Sequence, residues 1–310
     1  MLEFLTDKLR DALKYLNTNY LYEIRVRSNK PVVICYRGEY AYLSERGVAE
    51  HRDCAMTVSF SEIEEMIYRA SDYSVYSVTE QLRRGFLTGS CGERIGLAGI
   101  FVYENGGAFT VKEVTSLNIR VPHEVIGCAN ELCSICFANG LKSVLLISPP
   151  GRGKTTMLRD VARILCKDKP INLMINDERG EISAAYRDFS LNVGDCTDVI
   201  RYSSKKDALT SAVRAMRPDA VITDELISAD EMSAVAQCIR GGVYVIASAH
   251  LKDIGTLKKS PVFADAVSEK LFDYYAVLSS EGVGDLSAVY DSEFQPVFKA
   301  VTHSLEPRRS

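Results

Sequence analysis

The sequence predicts an α/β protein in two parts: a mixed α and β N-terminal domain over residues 1–125 and a C-terminal domain over residues 126–310. Two observations lead to this prediction. From about residue 140, short apolar runs alternate with helical patterns, as expected of buried parallel strands connected by helices. Before that point, alternating strand patterns and helical patterns follow each other without a regular order. A length of 310 residues also favours two domains over one.

The N-terminal domain is predicted to begin with a helix and to continue into a small sheet. Leucines at positions 2, 5, 9, 13 and 16 have the three- and four-residue spacing of an amphipathic helix over residues 1–18. Alternating stretches then predict strands. They read YEIRVR at 22–27, PVVICY at 31–36 and EYAYLS at 39–44.

The rest of this domain contains a second helix and a hairpin. Ser61 and Glu64 form the capping-box pattern that starts a helix through SEIEEMIYRA, and another helix is expected near residues 75–83. The stretches RIGLAGIFVY and AFTVKEV flank ENGG, which is a strong hairpin signal. These elements complete a mixed domain.

The C-terminal domain contains four apolar runs that predict parallel strands. They read SVLLI at 143–147, INLMIN at 171–176, AVIT at 220–223 and VYVIAS at 243–248. Because the carboxyl ends of parallel strands meet at one edge of the sheet, we expect the residues that follow these runs to lie together.

Composition excludes several classes of protein. The chain has 37 basic and 41 acidic side chains, a net charge of −4, so a nucleic-acid partner is not expected. Its longest apolar runs are far shorter than the roughly 20 residues that span a bilayer, and the N-terminus lacks a secretion signal. Nine cysteines, an odd number, fit buried thiols better than disulfides, and Cys133 and Cys136 are expected to be core residues. We therefore expect a cytoplasmic protein.

The stretch SPPGRGKTT at 148–156 resembles the phosphate-loop pattern G-x-x-x-x-G-K-[ST], with Ser148 in place of the first glycine. A buried strand precedes it and a helix follows, which is the context that the motif requires. Because proline has no N–H, the donors to phosphate must come from Gly151 onward. The residues expected to bind ATP are Gly151, Arg152, Gly153, Lys154, Thr155 and Thr156.

Carboxylates that complete an ATP-hydrolysing site follow two later strands. The stretch RPDAVITDE ends in Asp224 and Glu225, the Walker B arrangement, in which Asp224 binds Mg²⁺ together with Thr155 and Glu225 is a candidate base. A second set, NDERGE at 176–181, offers Asp177, Glu178 and Glu181. Which glutamate activates water is left open. His250 ends another predicted strand and is a candidate sensor of the γ-phosphate.

Together these motifs resemble those of the stage III sporulation protein AA family. The matching stretches are PPGRGKTTMLRDVARIL, DERGEISA, AMRPDAVITDE and SAH, with LAGIFV and SLNIRVP upstream. The resemblance implies kinship with the ring ATPases of type II and type IV secretion and pilus machines. It therefore implies a RecA-like P-loop ATPase domain with a mixed α+β N-terminal domain, a homohexamer, and docking from the cytoplasmic, mother-cell side on a membrane channel complex between mother cell and forespore.

The resemblance also assigns roles to residues. It places Lys154 and Thr155 in Walker A, Asp224 and Glu225 in Walker B, Asp177 and Glu178 in an acidic box, and His250 in a histidine box. Related rings send arginines from the N-terminal domain to a phosphate, often from a neighbouring subunit. Arg94 and Arg120 lie in the best-matching segments and are the candidates for that role, and Arg27 is the next candidate.

Two functions remain open on the sequence. The first is an Mg²⁺-dependent ATPase that powers assembly or transport by a membrane complex. The alternative is an ATP-gated scaffold of that complex without significant hydrolysis, against which the intact Asp224, Glu225 and Glu178 argue. A motor that acts on nucleic acid is not favoured, because an Arg-x-x-x-His pattern is absent from the C-terminal tail and the charge balance is acidic.

Overall fold

A computed structural model describes residues 2–74, 78–104, 107–167, 170–185, 190–201, 203–279 and 282–300. Contacts divide the chain into two compact units. The first comprises Met1–His123 with Ala184–Ser190, and the second comprises Glu124–Ser183 with Leu191–Ser310. The contribution of residues 184–190 to the first unit has no sign in the sequence.

The first unit contains a seven-stranded antiparallel sheet in the order β4-β3-β2-β1-β7-β6-β5. The predicted hairpin is confirmed by the pairing of its two strands, while its turn at 105–106 lies outside the described residues. The strands are β1 Leu21–Arg27, β2 Val33–Tyr36, β3 Glu39–Ser44, β4 Gly47–Val48, β5 Phe86–Thr88, β6 Arg94–Glu104 and β7 Gly107–Arg120; the helices are α1 Asp7–Leu13, α2 Phe60–Ala70 and α3 Thr79–Arg83.

Helix packing in this unit corrects two expectations. The first helix, α1, begins only at Asp7, although Leu2 and Leu5 ahead of it are buried in the same core as its own leucines. The capping box of α2 is formed by Ser59 and Glu62, not by Ser61 and Glu64. Two overlapping Ser-x-x-Glu patterns occur in this stretch, and the sequence motif alone did not separate them.

The second unit contains an eight-stranded sheet in the order β10-β9-β11-β12-β8-β13-β14-β15. The first six strands in this order run parallel, and the last two add antiparallel pairs at one edge. The four predicted strands are β8, β9, β11 and β12. The strands are β8 Val144–Ser148, β9 Leu173–Asp177, β10 Thr197–Arg201, β11 Ala220–Glu225, β12 Tyr244–His250, β13 Tyr274–Leu278, β14 Leu286–Asp291 and β15 Pro296–Lys299.

Helices cover both faces of this sheet because its central strands are apolar on both sides. Leu146 of β8 belongs to the core that includes Leu158 of α5, whereas Leu145 belongs to the core that includes Leu209 of α6 and Val235 of α7. The helices are α4 Asn130–Cys136, α5 Lys154–Leu165, α6 Lys205–Ser211, α7 Ala229–Arg240, α8 Ile254–Lys259 and α9 Ala264–Ser268. In the part of the chain that is described, we find no helix with the length and hydropathy of a membrane span.

The C-x-x-C pair lies in α4, where both thiols are buried and free. Burial raises the pKa of Cys133 and of Cys136 to about 12. These two cysteines therefore pack in the core as neutral thiols, as the sequence predicted.

Candidate nucleotide-binding site

The phosphate loop connects β8 to α5 and is shaped by two glycines. Gly151 and Gly153 have φ angles of 72° and 85°, in the left-handed region that favours glycine. Gly151 has open space where a side chain would stand, whereas a Cβ on Gly153 would lie 3.1 Å from the amide nitrogen of Gly284. That amide donates a hydrogen bond to the Arg152 carbonyl at 3.1 Å. The loop is therefore held against residues 282–284 while its face at Gly151 stays open.

Lys154 begins α5 and turns back onto the first part of the loop. Its side chain is buried, and its ammonium group donates to the Ser148 carbonyl at 2.9 Å, the Pro149 carbonyl at 3.0 Å and Ser148 Oγ at 3.3 Å. All three acceptors are uncharged. Burial lowers the pKa of Lys154 to about 8, and the Glu225 carboxylate opposes that shift. The loop thus carries a buried cation whose hydrogen-bond acceptors do not neutralise it.

The structure explains why Ser148 can take the place of the first glycine of the phosphate-loop pattern. It is the last residue of β8, it is fully buried, and its φ is not among the positive values in the chain. Its hydroxyl donates to the Pro149 carbonyl at 3.0 Å and accepts from Lys154. A serine fits here because the backbone is still extended, and it adds an acceptor for the lysine.

The start of α5 provides the remaining features of an anion site. Thr155 and Thr156 are half-buried in its first turn, directly after Lys154. The 12-residue helix points the positive end of its dipole and its unpaired amides toward the loop. Arg152 is half-buried at the tip of the loop.

Asp224 and Glu225 end β11, two strands away from β8 in the sheet. Asp224 is buried, and burial raises the pKa of its carboxyl to about 6, while Lys205 opposes that shift. The close partner of Asp224 Oδ1 is the Lys205 ammonium, at 3.0 Å. A buried carboxylate oxygen of this kind fits a hard cation such as Mg²⁺.

A complete metal centre of protein groups is not present in the described residues, where we find no cluster of three or more His, Cys, Asp or Glu that could hold an ion. Mg²⁺ commonly uses one or two protein oxygens together with substrate phosphates and water. The combination of Asp224 with the Thr155 hydroxyl fits that mode of binding.

Glu225 contacts two basic groups. His250 Nδ1 lies 2.5 Å from Glu225 Oε1, and Arg179 Nη1 lies 3.5 Å from Glu225 Oε2. Burial, followed by the charge of Lys154, lowers the pKa of His250. The imidazole is therefore neutral at pH 7 and donates its Nδ1–H to the glutamate, which leaves Nε2 as an acceptor. His250 ends β12 and pairs in register with Ser148, so it lies at the same edge of the sheet as the phosphate loop.

The acidic residues of the second set, NDERGE at 176–181, have different partners. The Asp177 carboxylate accepts hydrogen bonds from the amides of Glu181, Ile182 and Ser183 and from the Ser183 hydroxyl, at 2.7–3.1 Å. Asp177 thus stabilises the turn after β9. Glu178 instead pairs with the Lys205 ammonium at 2.6 Å, and Glu181 is exposed. Of the three, Glu178 is the one that shares a cation with Asp224.

Two basic residues of this site were missed by sequence reasoning. Lys205 begins α6 directly after β10, and β10 was not predicted because its side chains are mostly half-buried and it has no apolar run. Arg179 lies inside the acidic stretch NDERGE, whose predicted functional residues are its carboxylates. The available signal for Lys205 was the capping pattern Ser204 to Asp207, which marks a helix start.

The candidate arginines lie in the first unit. Arg94 of β6 and Arg120 of β7 are directly opposite each other in the sheet. The Arg94 guanidinium lies over the Phe86 ring, 4.7 Å from its centroid, and the Arg120 side chain is exposed. Arg27 is exposed on β1, the other neighbour of β7.

Residues 1–296 match the family described as "Sporulation stage III, protein AA". The chain is 34% identical over 300 residues to the stage III sporulation protein AA of Bacillus subtilis (strain 168), which covers 94% of each chain. Among solved structures, it is similar to the pilus retraction motor PilT with bound ADP, at a TM-score of 0.58 and 13% identity, covering 89% of this chain and 77% of the other. It is also similar to the Legionella pneumophila ATPase DotB, at a TM-score of 0.56 and 12% identity, covering 87% and 74%. These likenesses confirm the predicted fold class, a RecA-like domain with a mixed N-terminal domain.

Proposed function

The chain belongs to the sporulation stage III protein AA family, and from this premise we propose that it is an Mg²⁺-dependent ATPase of the secretion type. In this proposal, hydrolysis powers assembly or transport by a membrane channel complex between mother cell and forespore. The observation that carries the proposal is the single sheet edge where a buried phosphate-loop lysine, a buried Walker B aspartate and a glutamate–histidine pair all lie.

The phosphate loop is assigned to binding. The amides from Gly151 to Thr156 surround the phosphates, and Lys154 exchanges its carbonyl acceptors for phosphate oxygens. Thr155 and Asp224 would hold Mg²⁺, and the ion would supply positive charge against the phosphates. The PilT structure, which contains ADP, supports nucleotide as the ligand of such a fold.

We assign the base to Glu225 and not to Glu178. Glu225 is hydrogen-bonded by neutral His250, and its cationic neighbour Arg179 is half exposed and 3.5 Å away. Glu178 is instead paired with the buried ammonium of Lys205 at 2.6 Å. The Lys205 ammonium occupies the Glu178 oxygen to which it donates, so that oxygen is not available to a water molecule. Glu225 therefore removes a proton from water as the water oxygen attacks the γ-phosphorus, the bond from this phosphorus to the β–γ bridging oxygen breaks, and ADP leaves with that oxygen. His250 holds the carboxylate in position.

Arg94 and Arg120 are proposed to contact a phosphate bound by a neighbouring subunit of a homohexamer. Arg94 and Arg120 are directly opposite each other on β6 and β7, so one phosphate can contact both side chains. An arginine supplied in this way raises turnover by about 10³–10⁵. The channel proteins, the ring and the cytoplasmic, mother-cell location belong to the same proposal.

ATP turnover by the purified full-length chain tests the proposal. We expect slow, Mg²⁺-dependent release of phosphate that is abolished by Lys154→Ala, because the loop then lacks its cation. Lys167→Ala is the matched control, since this exposed lysine follows the same helix. The proposal is wrong if the oligomer binds ATP and shows no turnover even with its membrane partner present. Light scattering with and without ATP tests the hexamer, and a strict monomer in both conditions contradicts it.

Glu225→Gln separates the motor from an ATP-gated scaffold. A motor that uses Glu225 as base loses about 10²–10⁴ in turnover while it keeps ATP binding, since general-base catalysis contributes about that much. Complementation of a sporulating strain supplies the second readout. A Glu225→Gln protein that binds ATP, does not hydrolyse it and still supports sporulation would establish the scaffold instead.

A further inference from the structure

Lys205 is a buried lysine at the centre of the acidic cluster, which we define as Glu178, Asp224 and Glu231. Only 3% of its side chain is exposed. Its ammonium nitrogen lies 2.6 Å from Glu178 Oε2, 3.0 Å from Asp224 Oδ1 and 3.7 Å from Glu231 Oε1. One cation therefore serves three carboxylates.

These carboxylates come from three different elements of the fold. Glu178 follows β9, Asp224 is near the end of β11, and Glu231 lies in the first turn of α7, where it also completes the capping box with Ser228. One of the three, Asp224, is a residue that the proposed function places at the nucleotide. Lys205 thus contacts the chemical site directly, unlike a lysine that only anchors its own helix.

The adjacent lysine shows what an ordinary surface pair looks like in the same helix. The Lys206 side chain is 65% exposed, and its ammonium lies 3.8 Å from an 80% exposed Asp230. Such a pair contributes little, because water screens both charges. Lys205 and Lys206 are the same residue type in the same helix, so any difference between their variants reports the difference in burial.

Without Lys205, Glu178 Oε2 and Asp224 Oδ1 would face the position that the ammonium nitrogen now occupies, 2.6 Å and 3.0 Å away, and Glu231 would lie further out at 3.7 Å. Oxygen-rich groups of this kind are the ligands of hard divalent cations. In the structure, the ammonium lies where it balances the negative charge, and a second cation entering there would be repelled by it at short range. The ammonium therefore offsets part of the negative charge of the cluster.

We propose that Lys205 is a built-in counter-ion that prevents divalent cations from binding to the acidic cluster until nucleotide phosphates bring them. The inference rests on the proposed binding of Mg²⁺ and nucleotide at this edge. Its effect is to make metal binding depend on nucleotide, so that the site does not hold an ion by itself.

The contacts also indicate which carboxylate turns to the metal. Glu178 Oε2 is the nearer acceptor of the Lys205 ammonium, at 2.6 Å, whereas Asp224 Oδ1 lies 3.0 Å from it. Asp224 can therefore turn toward a cation that arrives with phosphate, while Lys205 keeps its bond to Glu178. Lys205 is in this sense a positioning residue, because it acts through the carboxylates.

Mn²⁺ binding, followed by electron paramagnetic resonance on the full-length protein, tests the proposal without any turnover. For the wild type we expect weak Mn²⁺ binding in the absence of nucleotide and much tighter binding with ADP present. Lys205→Met removes the charge and keeps the length, so it should bind Mn²⁺ without nucleotide at least about tenfold more tightly than the wild type. Lys205→Arg, which keeps the charge, should remain as weak as the wild type.

Two further variants locate the gained ion. Lys206→Met is the matched control and should bind Mn²⁺ as the wild type does, and adding Asp224→Asn to Lys205→Met should abolish the gain. The proposal is overturned if folded Lys205→Met binds Mn²⁺ no more tightly than the wild type. If Lys205→Met does not fold, the wild type still provides a decisive outcome, because Mn²⁺ binding that is equally tight with and without ADP overturns the proposal. Failure of every variant to bind nucleotide would contradict the proposed function and leave the nucleotide-free comparison of Lys205→Met with wild type intact.

Discussion

Two buried lysines at one edge of the second sheet have opposite surroundings. Lys154 is bonded to carbonyl and hydroxyl oxygens of Ser148 and Pro149, and burial lowers its pKa to about 8. Lys205 is bonded among carboxylates, and although burial acts to lower its pKa, Glu178 and Asp224 raise it above the ordinary value. The same side chain is thus an uncompensated charge in one place and a neutralised charge in the other.

This difference indicates which ligand each lysine at this sheet edge favours. A buried ammonium without a counter-charge gains most from an incoming anion, so the loop around Lys154 favours phosphate. A buried ammonium among carboxylates has nothing to gain from an anion, and its release would expose negative charge to a metal ion. The charge of the acceptors, and not burial, therefore decides which partner each lysine can take.

The largest effect that follows from this comparison concerns stability. Lys205→Met should lower the free energy of unfolding by about 3–5 kcal/mol, because it leaves buried carboxylates without their cation. Lys154→Met should raise it by about 1–2 kcal/mol, since removal of an uncompensated buried charge outweighs the lost bonds to carbonyls. Urea unfolding of both variants at pH 7 measures these values.

Lys206→Met serves as the control for the same experiment, and we expect its unfolding free energy to stay within about 0.5 kcal/mol of the wild type. Equal destabilisation by the variants at positions 154 and 205 would show that the two lysines do not differ in charge compensation, and the comparison would fail.

A smaller effect, on the pH dependence of stability, sharpens the comparison. The pKa of Lys154 is about 8 in the folded protein against an ordinary 10.5, so between these values the unfolded state binds more protons and stability rises with pH. The advantage of Lys154→Met should therefore shrink by about 1–2 kcal/mol between pH 7 and pH 9.5.

The pKa of Lys205 is shifted in the opposite direction to that of Lys154. Its folded pKa lies above its ordinary value of 10.5, so its contribution is fully present below 10.5 and is lost only as pH rises through the folded pKa. The cost of Lys205→Met should be the same at pH 7 and pH 9.5. Urea unfolding at both pH values measures the two trends, and parallel trends would contradict the assigned surroundings.

The sequence predicts the position of Lys154 at this sheet edge but not that of Lys205. Lys154 was predicted because its motif, its strand and its helix are all local in the chain, and the structure starts α5 at this residue. The four apolar strands were predicted for the same reason. Lys205 depends on β10, an edge strand with half-buried side chains, and on its parallel pairing with β9. Such long-range pairing leaves no periodic signal in a single sequence.

Long-range contacts that the sequence does not reveal also determine the opposite end of the strand order and the acidic stretch NDERGE. Strands β13, β14 and β15 extend the sheet, and only pairing with β8 reveals the first of them as part of the parallel set. Asp177 and Glu178 are neighbours with equal chemistry in the sequence. The structure separates them because Asp177 faces the amides of its own turn while Glu178 reaches Lys205.

The smallest effect is expected at Ser148, the residue that departs from the phosphate-loop pattern. Ser148→Ala keeps the extended backbone and removes one of the three acceptors that hold Lys154. Lys154 must leave these acceptors to reach phosphate, so losing a bond of about 1 kcal/mol should tighten ADP binding by about two- to fivefold. Calorimetric titration with ADP measures the change, with Ser203→Ala, on an exposed loop of the same unit, as the control. A tenfold weakening would mean that the hydroxyl supports the bound state, and Ser148 would then be part of the phosphate site and not of the contacts that Lys154 gives up.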